Sequence, residues 1–168
     1  STSSSANPAT YTATAEGDET ITVSANGLTL ASESFSVSLV IPGAIYVNAA
    51  TGSDDNDGSK DAPYASITKA LEQNAALGGS KTIVVKKGTY QLSDYALNDD
   101  VIIIANDAVF TSSGSSHIII GGAVENVELK GITFTGASDV SIIASQAATN
   151  LALEDVTLGQ RGLAAITA

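Results

Sequence analysis

Short apolar runs that alternate with polar residues recur through the second half of the chain at a nearly constant spacing. Residues 127–134 align with residues 151–158, and the same offset places Asn126 on Asn150. Each copy contains two short runs in which alternate positions are apolar, such as Val127 with Leu129 and Ile132 with Phe134, which is the period of a strand with one buried face. No helical pattern separates the copies. A period in the twenties that consists of strands alone predicts a solenoid.

The repeat extends in both directions. Toward the C-terminus, the same offset places residues 140–142 on residues 164–166. Toward the N-terminus, residues 102–104 and 109–110 match the repeat with one extra residue, and residues 85–90 begin the series. Stacked coils about 4.8 Å apart bury a continuous apolar column that no single coil can bury alone. We therefore predict an all-β fold, a right-handed parallel β-helix, whose hand follows the general preference of parallel crossovers. The positions predicted to face inward are Val127, Leu129, Ile132, Phe134, Leu151, Leu153, Val156 and Leu158.

An antiparallel sandwich is the alternative fold for these strands. Such a sandwich would show Asn-Gly or Asp-Gly turns between the apolar runs, and the sequence has none after residue 58. The pattern therefore favours the solenoid.

One stretch has helical periodicity, over about residues 66–76. Ser66 suits the N-cap position, and Gly78-Gly79 would end the helix. The positions on its apolar face are Ile67, Ala70, Leu71 and Ala75. We predict that this helix caps the N-terminal end of the apolar column. The sequence shows no second cap near residues 164–168, and because solenoids need both ends covered, we expect another surface to cover that end.

Residues 45–90 carry a specific order of motifs. The strand Ile45-Tyr-Val47 precedes the acidic stretch Ser53-Asp-Asp-Asn-Asp-Gly58, the predicted helix follows, and a strand ends in Gly88-Thr-Tyr90. This order resembles the opening segment of the right-handed parallel β-helix proteins of the pectate lyase-like superfamily. The resemblance covers residues 45–90 by motif and residues 101–168 by repeat. It implies the fold but no single activity, since that superfamily includes lyases, hydrolases, adhesins and non-catalytic surface proteins.

The first 43 residues form a separate region, a Ser/Thr-rich tail followed by three or four strands. Residues 20–25 and 28–30 flank Asn26-Gly27, a strong hairpin signal, and residues 34–41 alternate again. These strands resemble the closing strands of a bacterial immunoglobulin-like module. A full immunoglobulin sandwich needs about seven strands and about 100 residues. We therefore divide the chain into residues 1–43 and 44–168. We expect the sheet of the first region to be completed by the solenoid, by further sequence or by another molecule.

Composition narrows the partners and the compartment. The 168 residues include 18 acidic and 7 basic side chains, a formal net charge of −11, which disfavours nucleic acid and anionic membrane surfaces as partners. No run approaches the roughly 20 apolar residues of a membrane span. The acidic, cysteine-free sequence, rich in Ser, Thr, Ala and Gly, predicts an extracellular or cell-surface protein.

The acidic stretch is a candidate calcium site. Asp55 and Asp57 stand at alternate positions before Gly58, as in the first half of a calcium loop, with Ser53 where Asp is usual. Tyr64 occupies the twelfth position, where an EF-hand has Glu, so an EF-hand is excluded. Two interpretations stay open: a calcium-binding pair, and a turn whose side chains hydrogen-bond to their own backbone. No other cofactor is predicted.

The sequence shows no catalytic constellation. His117, the only histidine, is predicted to lie at a solvated outward corner, because its neighbours Ile118 and Ile120 align with Val140 and Ile142. The strand positions predicted to face outward are Glu128, Thr133 and Ser141. In the next coil they are predicted to stack on Ala152, Thr157 and Ala165, respectively. The resemblance implies that a lyase of this superfamily would use carboxylate-bound calcium and a basic residue on an outer face. The basic candidates are Lys86, Lys87, Lys130 and Arg161, and none matches a catalytic position of the superfamily.

Two functions remain open. The first is a secreted structural subunit that assembles with itself, head to tail, into a filament, sheath or layer by strand addition. The residues predicted to form that contact are Ile21, Val23, Phe35, Val37 and Leu39 on one copy, and Leu151, Ala164 and Ile166 on its neighbour. The second function is the N-terminal part of a lyase or hydrolase that acts on acidic polysaccharide. A sugar-binding or adhesive stalk is a weaker third.

Overall fold

The computed structural model describes residues 17–25, 28–37, 40–79, 81–122, 124–136, 141–145, 148–159 and 163–166 of the chain. The chain divides into two compact units between Val40 and Ile41. The first unit contains an antiparallel hairpin, and the second contains parallel sheets and one helix in its described part. The all-β class is confirmed.

Strands β1 (Gly17–Ala25) and β2 (Leu28–Val37) form the hairpin, with a register shift between Val23 and Ser24. The hairpin around Asn26-Gly27 is therefore confirmed, although those two residues lie outside the described part. Residues 28–30 and 34–41 were predicted as separate strands, but residues 28–37 form one continuous strand, and residues 38–39 lie outside the described part. The described residues of this unit thus contain two strands rather than three or four.

The second unit begins with β3 (Ile45–Val47) and helix α1 (Ile67–Ala76). Its further strands follow in chain order: β4 (Thr82–Val85), β5 (Gly88–Gln91), β6 (Tyr95–Ala96), β7 (Val101–Thr111), β8 (Ile118–Ile120), β9 (Glu125–Thr135), β10 (Ile142–Ser145), β11 (Thr149–Glu154) and β12 (Leu163–Ile166).

From β5 onward the chain alternates between two parallel sheets. The larger sheet has the order β11-β9-β7-β4-β3, with β5 also paired to β7, and the smaller sheet has the order β12-β10-β8-β6. Leu151 pairs with Val127, and Thr133 pairs with Thr157, both at the offset that the sequence repeat predicts. The repeat therefore reports real strand pairing.

Two register predictions are wrong. Strand β12 pairs with β10 at a shorter offset than the repeat predicts, so Ile142 lies opposite Leu163 and not Ile166. Ile104 pairs with Lys130 and Ala108 pairs with Ile132. Strand β7 therefore has two more residues than β9 between the paired segments, whereas the sequence predicts one extra residue. In β7 the extra residues lie at the register shift between Ile104 and Ala108, which the apolar pattern within strands does not record.

The core lies between the sheets and consists of stacked equivalent residues. Tyr90, Phe110 and Phe134 pair in register and make edge-to-face contacts with ring centroids 6.0 Å and 5.6 Å apart. The predicted inward residues of β9 are buried, and Leu151, Val156 and Leu158 pack partly buried against the core. Leu153, however, is 37% exposed, because β11 is the outermost described strand of its sheet.

Helix α1 covers the β3 end of the core, as the sequence predicts. The Ser66 hydroxyl accepts a hydrogen bond from the Lys69 N–H, and Ile67, Ala70 and Leu71 are buried. Asn74, rather than the predicted Ala75, is the fourth buried residue. The helix ends in a Schellman motif, in which the Gly79 N–H donates to the Asn74 carbonyl and the Gly78 N–H donates to the Ala75 carbonyl.

Candidate functional site

The acidic stretch after β3 is held by several hydrogen bonds, and three of them are accepted by the Asp54 carboxylate. One carboxylate oxygen of Asp54 accepts from the N–H groups of Ala65 and Ser66 at 3.0 and 2.9 Å, and the other accepts from the Ser66 hydroxyl at 2.7 Å. Partial burial raises the pKa of Asp54, but the hydrogen bonds from Ser66 and Ala65, with the nearby Lys69 charge, outweigh it and hold that pKa below its usual value. Asp54 therefore fastens the loop to the start of α1.

The same loop covers the outer edge of β3. The Tyr46 N–H donates to the Gly58 carbonyl, the Tyr64 N–H donates to the Tyr46 carbonyl, and the Asn48 N–H donates to the Tyr64 carbonyl, all at 2.8 to 2.9 Å. Gly58 has φ +77°, and a side chain there would clash with the Tyr64 ring. The edge of β3 that does not face β4 is thus occupied by the protein's own backbone.

Asp55 and Asp57, the predicted calcium pair, lie exposed in this loop. The Asp57 carboxylate accepts from the Ser59 N–H at 2.8 Å, which lowers the pKa of Asp57, and the Asp55 N–H donates to the Ser53 hydroxyl. These bonds fit the turn interpretation. Among the residues that the structure describes, no group of three or more His, Cys, Asp or Glu side chains could hold a metal ion. Calcium binding at Asp55 and Asp57 stays a prediction.

A row of polar side chains marks one corner of the stacked coils. The Asn150 amide donates to the Asn126 side-chain oxygen, and the Asn126 amide donates to the Asp100 carboxylate, both at 2.8 Å. All three residues have φ between 56° and 59°, a conformation that Asn and Asp tolerate better than most residues. The predicted equivalence of Asn126 and Asn150 is confirmed, and the row extends to Asp100.

Two of the basic candidates, Lys87 and Lys130, form ion pairs with acidic residues. Lys87 lies 3.6 Å from Asp107, and Lys130 lies 2.6 Å from Glu154. The backbone N–H of Lys86 donates to the Val47 carbonyl, and Arg161 lies outside the described residues. The pairing of Glu128 with Ala152 and of Thr133 with Thr157 is as predicted.

Two residues predicted to face outward are buried. His117 is 0% exposed: its Nε2 lies 2.8 Å from the Thr135 carbonyl oxygen, and its ring contacts Phe134 edge to face at 5.0 Å. Ser141 is 2% exposed, and its hydroxyl accepts from the Gly159 N–H. Both residues lie at a bend between strands, where the chain is not extended and the alternation of faces does not apply.

Sequence reasoning missed a second acidic anchor, Asp94, which directly precedes β6 and bonds to the bend before β8. The Asp94 carboxylate accepts from the N–H and the hydroxyl of Ser116 at 2.7 and 3.0 Å, and these bonds lower the pKa of Asp94. The Ser112 hydroxyl donates to the Ser116 carbonyl at 2.6 Å. The signal in the sequence is the Ser112–Ser116 run, but its partner lies in the preceding coil and cannot be identified before the coil length is known.

The predicted contact residues fall in three places. Ile21, Val23, Phe35 and Val37 lie in the hairpin strands, whereas Leu39 lies outside the described part. Leu151 is partly buried against the core. Ala164 and Ile166 lie in β12 and pair with Ile143 and Ser145.

The described residues contain no helix that is long and apolar enough to cross a membrane.

Comparison with known proteins gives one match. Residues 50–95 match the model of a family described as a protein of unknown function, DUF1565, which is associated with β-helix-like proteins. The match covers less than a third of the chain: the acidic loop, α1, β4, β5 and the first residue of β6. No curated protein and no solved structure matches the chain. The matched segment is therefore the part that closes one end of the parallel sheets.

Proposed function

We propose that the second unit is a right-handed parallel β-helix and that the protein is a secreted structural subunit that assembles head to tail. Support for the β-helix comes from the regular alternation between two parallel sheets, in which offsets between stacked strands stay in the twenties from β4 onward. The motif order in residues 45–90 supports a pectate lyase-like coil, and the general handedness of parallel crossovers supports the right hand.

The observation that carries the assembly proposal is the difference between the two ends of the larger sheet. At one end, the loop 58–64 and helix α1 cover β3. At the other end, β9 is the only described strand that pairs with β11, and Leu153 is 37% exposed beside it. A strand edge of this kind is a template for another strand, so association at this end alone would be directional.

The hairpin unit supplies a suitable partner for that edge. The register places three pairs on one face of the hairpin ladder: Val23 opposite Ala31, Ile21 opposite Glu33, and Glu19 opposite Phe35. The intervening positions, Asp18, Thr20 and Thr22 opposite Ser36, Ser34 and Ser32, are all polar. A two-stranded sheet is marginally stable alone, so the hairpin gains stability when the face that carries Ile21, Val23 and Phe35 is covered. We infer that it docks on β11 and β12 of a neighbouring copy.

The experiment uses two full-length variants and a matched control. Val23→Asp replaces an apolar residue on the proposed docking face by a charge, Leu153→Asp places a charge at the receiving edge, and Thr22→Asp adds the same charge to the opposite face of the ladder. Sedimentation velocity over a range of concentrations measures the size of each protein. We expect the wild type and Thr22→Asp to form extended oligomers, and the other two variants to remain monomeric.

Mixing the two monomeric variants tests the direction of the contact. Each variant retains one intact surface, so a head-to-tail contact predicts that the mixture forms dimers and nothing larger. A hairpin-to-hairpin contact would instead leave Leu153→Asp fully able to associate. A wild-type chain that stays monomeric at high concentration would refute the assembly proposal.

The second candidate is an enzyme that acts on acidic polysaccharide, and the specific observation in its favour is the motif order of residues 45–90. A uronic-acid polymer incubated with the protein and calcium would show new chain ends if this candidate is correct. Neither function accounts for the Ser-rich tail, which lies outside the described residues.

A further inference from the structure

The polar row at the corner of the stacked coils has a direction, and Asp100 sets it. Because the Asp100 carboxylate accepts hydrogen bonds and cannot donate them, the Asn126 amide nitrogen must face it, which leaves the Asn126 side-chain oxygen to accept from Asn150. The side-chain oxygen of Asn150 is then the unused acceptor of the row, since no described residue donates to it. Asn150 is exposed in the outermost described strand of the larger sheet. A strand that stacks on β11 therefore meets a hydrogen-bond acceptor at this corner.

Strand β1 of the hairpin has the same residue pattern as the strands that already stack there. In each of them, two polar residues precede two apolar residues that are separated by one position. The three segments are Glu125-Asn-Val-Glu-Leu129 in β9, Thr149-Asn-Leu-Ala-Leu153 in β11 and Glu19-Thr-Ile-Thr-Val23 in β1. Strands β9 and β11 pair in this register. One edge of β1 pairs with β2, and the described residues provide no partner for its other edge, so β1 matches the next strand that the sheet would have.

The other strand of the hairpin fits this position less well. In β2, Glu33 stands between Ala31 and Phe35 on the face of the ladder that carries Ile21 and Val23. A carboxylate without a partner is costly to bury. Docking through β1 places two apolar positions next to the core and leaves Glu33 one strand farther out.

The charges near β11 favour a parallel order. If β1 runs parallel to β11, Glu19 lies beside Thr149, which is uncharged. If it runs antiparallel with the same apolar positions paired, Glu19 lies beside Asp155, and like charges directly opposite each other destabilise a sheet. Parallel order also continues the order of every other described strand pair in the larger sheet.

We propose that β1 of one copy adds to β11 of a neighbouring copy as the next parallel strand, and that the Thr20 hydroxyl donates a hydrogen bond to the Asn150 side-chain oxygen. The contact is part of the head-to-tail assembly proposed above and rests on it. Thr20 takes the next position of the polar row and fixes the register. The apolar pairs across the contact are Ile21 with Leu151 and Val23 with Leu153. The apolar column thus continues from one copy into the next.

Disulfide cross-linking tests the strand and its register, because the chain has no cysteine of its own. The full-length copy that supplies the hairpin carries Leu153→Asp with Thr22→Cys. The receiving copy carries Val23→Asp with Ala152→Cys, so that one contact alone can form. We expect a disulfide-linked dimer, because paired residues on adjacent strands lie within the span of a disulfide. Ser32→Cys, opposite Thr22 on β2, is the control and should give none, because it lies two strand spacings, about 10 Å, from the receiving thiol.

Sedimentation velocity on mixtures without the cysteines tests the hydrogen bond. Thr20→Val in the copy that supplies the hairpin is expected to weaken association roughly two- to tenfold, the usual contribution of one hydrogen bond. Thr22→Val is the matched control, because Thr22 stacks beside Ala152, which has no polar side chain. The effect of Thr20→Val should disappear when the receiving copy carries Asn150→Gly, which keeps the left-handed conformation and removes the amide.

The outcomes distinguish this contact from the assembly itself. Mixtures that do not dimerise would refute both. Dimers that cross-link through Ser32→Cys would show that β2 is the docking strand, and dimers that cross-link through neither cysteine would refute the register, while head-to-tail assembly would stand. Equal effects of Thr20→Val and Thr22→Val, or an effect of Thr20→Val that persists with Asn150→Gly, would refute the bond to Asn150.

Discussion

Asparagine and aspartate residues in the left-handed conformation set the corners of the second unit. Asp94, Asp100, Asn126, Asn150 and Asp155 all have φ between 48° and 59°. Four of these side chains also hydrogen-bond to a neighbouring coil: Asp94 accepts from Ser116, and Asp100, Asn126 and Asn150 form a row. Each of these four residues therefore combines a backbone preference with a contact along the stack.

Substitutions at Asn126 separate these two contributions. Asn126→Gly keeps access to positive φ but removes the side-chain bonds, whereas Asn126→Ala loses both. We expect Asn126→Ala to lower the free energy of unfolding by about 1–2 kcal/mol more than Asn126→Gly, the cost of the left-handed conformation for a residue with Cβ. Urea denaturation of both variants measures the difference. Equal stabilities would mean that the corner conformation contributes nothing at this position.

Carboxylates that accept hydrogen bonds make the protein sensitive to acid. Ser116 lowers the pKa of Asp94, Ser59 lowers that of Asp57, and for Asp54 the bonds from Ser66 and Ala65 outweigh the effect of burial. Because these folded-state pKa values lie below the unfolded ones, their contribution to stability is complete above about pH 4 to 5 and is lost as pH falls through the folded values.

We therefore expect the urea midpoint to be nearly constant from about pH 7 to 5 and to fall below about pH 4. Asp94→Asn tolerates the same φ and cannot be protonated in this range, so its midpoint should fall less between these limits. A wild-type midpoint that is the same at about pH 7 and pH 3 would contradict the role assigned to these carboxylates.

At the residue scale, the sequence identified side chains within strands better than those at bends. Phe134 and Leu129 were predicted to be buried from alternation alone, and both are. His117 was assigned to the surface by counting back from Ile118, but the bend before β8 turns it into the core. A side chain at a bend can be placed only when the local backbone is known.

The strands of the larger sheet are stabilised by identical residues stacked in register. Phe134 is 1% exposed, and it contacts Phe110 at 5.6 Å and His117 at 5.0 Å. Its ring therefore links the central coils of the sheet to the buried histidine.

We expect Phe134→Ala to lower the free energy of unfolding by about 3–5 kcal/mol, the usual cost of removing a buried aromatic ring. The neighbouring Thr133→Ala is the control, since Thr133 is partly exposed on the other face of the same strand, and should change stability by less than about 1 kcal/mol. Thermal or urea unfolding measures both. A loss below about 1 kcal/mol for Phe134→Ala would contradict its place in the core.

At the element scale, the helix was predicted well and the acidic loop was not. The N-cap Ser66 and the paired glycines fixed the limits of α1 because capping is local in sequence. The role of Asp54 depends on contacts with Ala65 and Ser66, more than ten residues away. The spacing of acidic residues in calcium loops predicted a role for Asp55 and Asp57 instead.

For the whole molecule, the repeat offset predicted the parallel stacking of β9 and β11 but not the shorter step from β10 to β12. The net charge was also evident from the sequence, and it bears on the proposed assembly. Each copy carries −11, so two copies repel each other before their surfaces meet.

We therefore expect the head-to-tail association to strengthen as sodium chloride rises from about 20 mM to about 500 mM, because the Debye length shortens from about 20 Å to about 4 Å. Sedimentation velocity measures the change. Calcium chloride and magnesium chloride at matched ionic strength are the comparison, and they should act alike. A response to calcium alone, abolished by chelator, would instead support the predicted site at Asp55 and Asp57.

The two additional residues of β7 show where this protein tolerates a change of length. Val101 pairs with Val127 before the bend and Ala108 pairs with Ile132 after it, although β7 has residues 105–107 where β9 has only Gly131. The difference is absorbed between Ile104 and Ala108, and the strands on either side keep their partners. Elsewhere in a strand, one inserted residue would turn every following side chain to the opposite face. This bend is therefore the natural position for grafting a foreign peptide loop, such as an epitope or a labelling tag, without disturbing the stack.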